Sequence, residues 1–274
     1  MAFVCSNGLF VNADQPVLLA SNRGLKYGDG VFETMRLHNG RLLLEELHFK
    51  RLFQGLQLLQ INATHLQKEL LVKCIMDLCV RNNCLASARV RLAVYREAES
   101  SGFLIEANTI EPFRWNETGY TVDIFPTARK SCDHYANLKS ANYLPYVMAD
   151  RYANEKGLDE SLVLNVFGNI CDGSKTNLFI IHNGELMTPA LEQGCIAGVM
   201  RENIINRLGS CGVTVHQTSL TIEHLLAADA VFLSNAIRGI QWVANFKQAT
   251  YKHEKVREVY AQVFPSSSST LYSD

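Results

Sequence analysis

The sequence has almost no net charge, no cysteine motif typical of a metal site and no apolar run long enough to cross a membrane. Its 26 lysines and arginines nearly balance 27 aspartates and glutamates, so a protein that binds nucleic acid or an anionic membrane through bulk charge is excluded. No segment reaches the roughly 18 apolar residues of a membrane span, and the polar N-terminal segment MAFVCSNGLFVNADQP does not resemble a signal peptide. We therefore expect a cytoplasmic protein with no nucleic acid and no membrane among its partners.

The eight cysteines exclude a common class of metal site. No two of them have C-x-x-C spacing, and no cluster of cysteine and histidine offers a set of metal ligands. We predict no bound metal, and we expect reduced thiols that pack as small hydrophobic side chains, as is typical of cytosolic proteins.

Length and composition predict a folded protein of one large or two modest domains. The 274 residues are 47% hydrophobic and 19% charged, which is enough apolar material for a core. Residues 108–119 combine proline, glycine and polar residues without periodicity, so we place the linker there. The prediction is an N-terminal domain of residues 1–115 and a C-terminal domain of residues 116–274, with a serine-rich tail that frays from about residue 266.

Helix and strand patterns alternate along the whole chain. Three Asn-Gly pairs, at residues 7–8, 39–40 and 183–184, predict tight β-hairpins. Helices are predicted at 45–60, 65–81, 145–156 and 199–208, and Thr64–Gln67 has the pattern of a capping box for the second of these. Strands are predicted at 88–96, 102–107, 120–125, 160–167, 177–182 and 230–234. This mixture predicts the α+β (mixed α/β) class.

Two segments carry chemical content by themselves. Gly168 and Gly173 are spaced like the glycines of a phosphate-binding P-loop, but Ser174 stands where that loop needs its lysine and a strand follows instead of a helix. Residues 191–205 place small residues before an apolar-periodic helix that starts near Val199. The first turn of such a helix leaves N–H groups without partners, which favours an anion. Taken alone, this second pattern is also explained by a simple turn.

Six segments in order resemble the fold-type IV pyridoxal-phosphate enzymes, the class IV aminotransferase family of branched-chain and D-amino-acid aminotransferases and aminodeoxychorismate lyases. They are RGLKYGDGVFETMR (23–36), HFKRL (48–52), NLKSANY (137–143), DGSKTNLF (172–179), GCIAGVMR (194–201) and FLSNAIRG (232–239). The resemblance runs from about residue 7 to residue 243. It implies a small N-terminal α/β domain and a larger C-terminal β-barrel-like domain with helices.

The resemblance also implies a cofactor, pyridoxal 5′-phosphate, and residues that hold it. Lys139 corresponds to the lysine that forms the Schiff base and moves the proton of the substrate. Arg51 corresponds to the guanidinium that binds the phosphate. Asp172 stands where the family has a glutamate beside the pyridine nitrogen, and its shorter side chain puts the strength of that contact in question; alternatively, Asp172 and Gly173 only form a turn. The remaining cofactor candidates are Asn142, Tyr143, Asn177, Ile196, Ala197, Ser234, Asn235 and Ala236.

A substrate that carries a carboxylate needs a cationic partner. The candidates for substrate binding are Phe32, Arg36, Arg91, Arg96 and Arg238. Arg89 and Arg91 share one face of their strand and alternation puts Arg96 on the other, so these arginines cannot all line one pocket. We favour Arg96 and Arg36.

Three functions compete. The first is an aminotransferase that acts on a small amino acid or keto acid. The second is an aminodeoxychorismate lyase that releases pyruvate and p-aminobenzoate for folate synthesis, which SNAIRG at 234–239 resembles. The third is a catalytically weakened protein that only binds the cofactor, which the change to Asp172 suggests. The resemblance further implies a homodimer in which the loop around Tyr27–Val31 reaches towards the partner's site.

Overall fold

The computed structural model describes residues 2–98 and 100–265, and it divides into two compact units. The first contains Met1–Pro112 and Leu138–Tyr143, and the second contains Phe113–Asn137 and Leu144–Asp274. The predicted domain boundary between residues 115 and 116 stays a prediction, and the predicted fraying from about residue 266 lies outside the described residues. No helix of the described residues is both long enough and apolar enough to span a membrane.

The first unit is an antiparallel sheet with helices packed on it. Its elements are β1 (Phe3–Ser6), β2 (Leu9–Asn12), α1 (Arg23–Tyr27), β3 (Gly30–His38), β4 (Arg41–Leu42), α2 (Glu45–Leu58), α3 (Lys68–Arg81), β5 (Ser87–Arg96) and β6 (Ser101–Thr109). The strand order is β2-β1-β6-β5-β3-β4, and every neighbouring pair is antiparallel.

The Asn-Gly pairs form the predicted hairpins. Asn7 and Gly8 have φ of 50° and 85° between β1 and β2, and Asn39 and Gly40 have φ of 47° and 75° between β3 and β4. Positive φ at both central positions is the geometry of a type I′ turn, which matches the twist of paired strands. A local backbone preference therefore decides these connections.

Alternation along β3 and β5 gives the first sheet two different faces. Val31, Met35 and Leu37 point to one face with Val90 and Leu92, where they form a core with Phe49, Leu52 and Leu56 of α2 and with Leu71, Ile75 and Leu78 of α3. The other face carries Phe32, Arg36 and Arg91, because residues directly opposite each other in a pair of strands share a face.

The capping box predicted at Thr64–Gln67 is wrong. Helix α3 begins only at Lys68, its N-cap Gln67 makes no side-chain capping bond, and the backbone N–H and hydroxyl of Thr64 both donate to the side chain of Asn62. The local turn at Asn62 thus outcompetes the cap.

The second unit is built on a larger sheet. Its elements are β7 (Tyr120–Lys130), α4 (Leu144–Lys156), β8 (Glu160–Asn165), β9 (Ile170–Gly173), β10 (Asn177–His182), β11 (Glu185–Pro189), a 3-10 helix (Leu191–Gln193), α5 (Val199–Ser210), β12 (Val215–Thr218), α6 (Ile222–Ala227), β13 (Ala230–Asn235), β14 (Gly239–Phe246), β15 (Ala249–Thr250) and α7 (Glu254–Val263). The order is β12-β11-β10-β13-β14-β7-β8-β9, and β15 pairs with β14.

Helices connect the parallel strands of this sheet. Strands β7 and β8 are parallel and joined through α4, and β11 and β12 are parallel and joined through α5, as a parallel connection requires. Strand β7 continues beyond the predicted end at residue 125 to Lys130, with a register shift between Ile124 and Arg129. Strand β8 ends at Asn165, before the predicted end at residue 167, because the side chain of Asn165 accepts N–H groups of the following turn.

Candidate active site

The lysine segment of the first unit is attached to the start of β3. The N–H of Phe32 donates to the carbonyl of Lys139 at 3.0 Å, and the N–H of Ala141 donates to the carbonyl of Gly30 at 2.9 Å. Asn142 lies against Gly28, which has a φ of 65° and where an added Cβ would lie 3.1 Å from the Asn142 nitrogen, so both its backbone conformation and the close packing favour glycine. The backbone of β3 therefore fixes where Lys139 projects.

The amine of Lys139 lies on aromatic rings beside an arginine. Its Nζ is 4.5 Å from the centroid of Phe32 and 5.2 Å from that of Tyr143, and these two rings meet edge to face at 5.3 Å. The guanidinium of Arg91 lies 4.8 Å from the centroid of the same Phe32 ring. The predicted residues Lys139, Tyr143, Phe32 and Arg91 are thus brought together.

The second predicted anchor, Arg51, is held by a buried carboxylate. Oε1 of Glu33 accepts Nε of Arg51 at 2.7 Å and Oε2 accepts Nη2 of Arg51 at 2.5 Å. Nδ1 of His48 lies 2.6 Å from the same Oε2. Glu33 and His48 are almost completely buried, and Glu33 points to the core face of β3. A two-pronged ion pair of this kind fixes the orientation of the guanidinium.

The surroundings in this cluster lower the pKa values of both Glu33 and His48. Burial alone would raise the pKa of Glu33, but Arg51 and His48 outweigh it and hold the pKa at about 2. Burial lowers the pKa of His48, against the opposing influence of Glu33. Glu33 is therefore a carboxylate and His48 a neutral imidazole at neutral pH.

The two arginines favoured for substrate binding, Arg36 and Arg96, already donate hydrogen bonds within the protein. Arg36 is buried and donates through Nη2 to the carbonyl of Glu111 at 2.7 Å and to Ser87. Arg96 lies on the opposite face, as alternation predicts, and donates to Asp29 and to the carbonyls of Leu59 and Gln60 at the end of α2. A substrate would have to displace these contacts, whereas Arg91 meets only a weak carboxylate contact of 3.8 Å with Glu106.

In the second unit, Asp172 is the centre of a hydrogen-bond network. Its Oδ2 accepts the hydroxyl of Tyr146 at 2.6 Å and the N–H of Ile196 at 2.9 Å, and its Oδ1 accepts Nδ2 of Asn177 at 2.8 Å. An ionised carboxylate offers about four acceptor positions, so one position on Oδ1 is left for a further donor. The alternative that Asp172 is only a turn residue does not account for this network.

The start of α5 packs on the same network. Gly198, the N-cap, lies so close to Asn177 that a Cβ there would be 1.7 Å from its Oδ1. Asn177 pairs directly with Ser234 across the strands, and the buried Ser234 hydroxyl has no hydrogen-bond partner among the described residues. The first intrahelical N–H is that of Glu202, so helix geometry leaves Val199, Met200 and Arg201 as N–H donors without an intrahelical acceptor.

The predicted backbone donors Ile196 and Ala197 are engaged in the protein itself. Ile196 donates to Asp172, and Ala197 donates to the carbonyl of Asn137 at 3.1 Å. The donors that helix geometry leaves for an anion lie two to five residues further along, because α5 begins at Val199. The roles predicted for Ile196 and Ala197 stay predictions.

The last predicted loop is shaped by Asn235. Its Oδ1 accepts the N–H groups of Ile237 and Arg238 at 3.0 and 2.7 Å, which turns the chain after β13 and positions Ala236 within the turn. Arg238 donates through Nη1 to the hydroxyl of Tyr120 at 2.6 Å. This contact ties the predicted substrate arginine to β7.

Sequence reasoning did not single out three buried side chains that orient the candidate residues: Glu33, His48 and Glu160. Glu160 is buried, and it accepts the N–H of Ser174 at 2.9 Å and the hydroxyl of Thr176 at 3.1 Å, and the hydroxyl of Ser174 as well. Burial raises its pKa against these hydrogen bonds. The contacts shape the turn between Asp172 and Asn177. A sequence signal existed for Glu33, since it is the only charged residue at the core positions of β3.

Metal chemistry receives no support from the described part of the chain, where no group of three or more histidine, cysteine, aspartate or glutamate side chains could hold a metal ion. All eight cysteines are described, and all are free thiols.

Comparison with known proteins places the chain in a family. A Methanocaldococcus jannaschii protein that carries the name of a branched-chain-amino-acid aminotransferase is 28% identical over 272 residues, covering 92% of this chain and 91% of the relative. The aminodeoxychorismate lyase of Bacillus subtilis is 27% identical over 259 residues, covering 89% and 87%. The branched-chain aminotransferase of Thermoproteus uzoniensis, solved with norvaline, superposes with a TM-score of 0.84 at 24% identity over 94% of this chain and 92% of that one.

The family model for amino-transferase class IV matches residues 30–246. The chain therefore belongs to the class IV aminotransferase family, whose members are pyridoxal-phosphate-dependent enzymes of fold type IV. Four predictions are confirmed: the family, the α+β class of fold type IV, an enzymatic function and the cofactor pyridoxal phosphate. Both aminotransferases and lyases occur among its relatives, so the activity within the family needs an argument from the site.

The residues present fit the cofactor. A phosphate needs several donors. In the second unit the start of α5 offers N–H groups, and the buried hydroxyl of Ser234 has no hydrogen-bond partner among the described residues. A protonated ring nitrogen needs an acceptor, and Asp172 has one position left on Oδ1. An aldehyde needs an amine, and Lys139 of the first unit carries one.

Replacing Glu33 with glutamine should destabilise the first unit. The change leaves Arg51 and His48 without their buried carboxylate, which costs about 3–5 kcal/mol. Because the folded pKa of about 2 lies below the ordinary 4.5, the stabilisation from Glu33 is fully present above pH 4.5 and is lost as the pH falls towards 2. Urea unfolding from pH 7 down to about pH 2 measures both effects, because the acid loss lies between the two pKa values. Glu106→Gln, on the same sheet with a weak ion pair, is the control, and an unchanged acid slope in Glu33→Gln would contradict the assignment.

Replacing Gly198 with alanine should disturb cofactor binding. The new Cβ would displace Asn177 from Asp172, and overpacking costs about 1–3 kcal/mol. Gly209 lies in the same helix with open space around it, so Gly209→Ala should bind pyridoxal phosphate like the parent. Equilibrium dialysis and urea unfolding compare the two variants. Equal cofactor retention in both would show that the start of α5 takes no part in the site.

Proposed function

We propose that this enzyme is an aminotransferase that exchanges the amino group of a small amino acid with a keto acid. The observation that carries the proposal is that an amine and a guanidinium lie against the same aromatic ring. Lys139 and Arg91 both lie within 5 Å of the centroid of Phe32. A substrate that bears both an amino group and a carboxylate fits this pair, because the guanidinium is suited to a carboxylate. Arg91 is therefore a better substrate anchor than Arg36 or Arg96.

Each residue has a chemical task in this proposal. When bound, pyridoxal phosphate supplies an electron-withdrawing ring that stabilises negative charge at the substrate α-carbon. Lys139 would hold the cofactor covalently and would then carry the α-proton. Asp172 would accept the ring N–H and keep that nitrogen protonated, and Arg51, oriented by Glu33, would donate to the phosphate.

Further residues complete the proposed cofactor site. Tyr143 would hold the ring oxygen, and Ser234 and the start of α5 would hold the phosphate. Asn177 orients Asp172. We assign supporting positions around the cofactor to Asn142, Ile196, Ala197, Asn235 and Ala236, and positions near the substrate to Phe32 and Arg238.

The second candidate is an aminodeoxychorismate lyase that releases pyruvate and p-aminobenzoate. The relative in Bacillus subtilis that bears this name and the segment SNAIRG at 234–239 favour it. The third candidate, a protein that binds the cofactor without catalysis, has lost its main support. Asp172, which suggested it, is held by three donors with an acceptor position to spare.

We also propose that the protein forms a homodimer, because the resemblance to fold-type IV enzymes implies one. Leu25 and Tyr27 are exposed at the end of α1, whereas Gly30 and Val31 are buried in β3. The surface available to a partner therefore ends before Gly30. Light scattering at micromolar concentration should give twice the mass of one chain.

Lys139→Ala should abolish turnover. Reduction with borohydride, followed by peptide mapping, should find the cofactor on Lys139 in the parent and on no lysine in the variant. Lys130, the other lysine near a proposed cofactor residue, is the informative comparison, because it donates to two carbonyls. A label on Lys130, or full activity of Lys139→Ala, would refute the proposed role.

A panel of donors and acceptors should distinguish the two reactions. It contains small amino acids with keto acids, and aminodeoxychorismate, with keto acid, pyruvate and p-aminobenzoate all measured. We expect amino transfer, and we expect Arg91→Gln to raise KM for the amino acid by about tenfold or more, the effect of losing about 1.5–3 kcal/mol from a charged hydrogen bond. Release of p-aminobenzoate without amino transfer would establish the lyase instead.

A further inference from the structure

Lys130 is a buried cation at the end of β7. Its ammonium donates to the carbonyl of Ala136 at 2.6 Å and to that of Gly194. It lies 5.2 Å from the centroid of the Tyr146 ring. The first two contacts tie the segment that follows β7 to the turn before α5. A buried ammonium is costly unless it is paired with an opposite charge.

The opposite charge is Asp172. Its Oδ2 lies 3.6 Å from Nζ of Lys130, and both side chains are at least nine-tenths buried. The distance is too long for a good hydrogen bond but well within the range of a strong charge–charge interaction in a buried site. Lys130 thus balances the charge of Asp172 and leaves the acceptor position on Oδ1 unused.

The other titratable groups around Asp172 do not supply this charge. Cys171 precedes it on β9 and Cys195 faces it from the turn before α5; burial raises the pKa of both thiols, that of Cys195 to about 12. Tyr146 faces it from α4 as a neutral donor. Burial raises the pKa of Asp172, and the charge of Lys130 is the leading influence that opposes this rise.

We infer that Lys130 is a positioning residue that keeps Asp172 ionised and oriented before the cofactor arrives. Its relevance to catalysis rests on the proposed function. In this chain the acid is one carbon shorter than the family glutamate, and it is fixed by Lys130, Tyr146, Asn177 and Ile196. The ammonium acts through Asp172 by its charge, and its two carbonyl partners keep it from acting as the covalent amine.

The test compares Lys130→Met with Lys130→Arg in the cofactor-free protein. Carbon-13 NMR follows the carboxyl of Asp172 as the pH is raised. Loss of an opposite charge within 4–6 Å should move the midpoint upward by about 1–3 pH units in Lys130→Met, whereas Lys130→Arg keeps the charge and should stay close to the parent. The same midpoint in Lys130→Met and parent would overturn the inference.

A structural control separates charge from packing. Arg201 is a buried cation of the same unit that donates to the carbonyl of Pro189 and to Gln217, so Arg201→Met should lower stability without moving the midpoint of Asp172. If Lys130→Met does not fold, the neutral variant Lys130→Gln serves in its place. The midpoint of Asp172 should again move upward relative to Lys130→Arg, and an unchanged midpoint would overturn the inference. Pyridoxal-phosphate binding by the parent is measured separately. A parent that does not bind the cofactor would contradict the proposed function, but it would not change the midpoint of Asp172 that tests the role of Lys130.

Discussion

The carboxylate of Asp172 is the constraint on which the second unit's site depends. It receives donors from β10, α4 and the turn before α5, and it faces the ammonium at the end of β7. A buried carboxylate is tolerated only when such partners surround it. The same contacts therefore hold four separate segments in one arrangement, and they leave one acceptor position for a ligand.

The first unit uses the same physical solution in a different place. Glu33 sits on the core face of β3, where an unpaired charge would be strongly destabilising, and it is compensated by Arg51 and His48 of α2. On the opposite face, Phe32 presents its ring to Lys139 and Arg91. One strand thus connects the orientation of Arg51 with the position of Lys139, because successive residues of a strand alternate between its faces.

The partners of Asp172 fix the position of an acid that is one carbon shorter than the glutamate expected from the family resemblance. Hydrogen bonds and a nearby cation can hold a shorter carboxylate as firmly as a longer one, provided that the surrounding segments converge on it. Gly198 allows this convergence, since a side chain there would collide with Asn177. The glycine is required by close packing rather than by a positive φ.

The sequence by itself determined the family, the mixed class of fold, the hairpins and most elements, because turn geometry and periodicity are local and the six motifs occur in order. It also placed Arg96 on the opposite face from Arg91, but it could not show that Arg96 and Arg36 were already bound to main-chain carbonyls. Local patterns failed where local interactions compete, as at Thr64. The partners of Glu160 and Lys130 emerged only from the tertiary structure, since Glu160 and Ser174 are 14 residues apart and Lys130 and Gly194 are 64 residues apart. The reason is physical: burial, charge pairing and the partners of a donor are set by segments distant in sequence, and no local pattern encodes them.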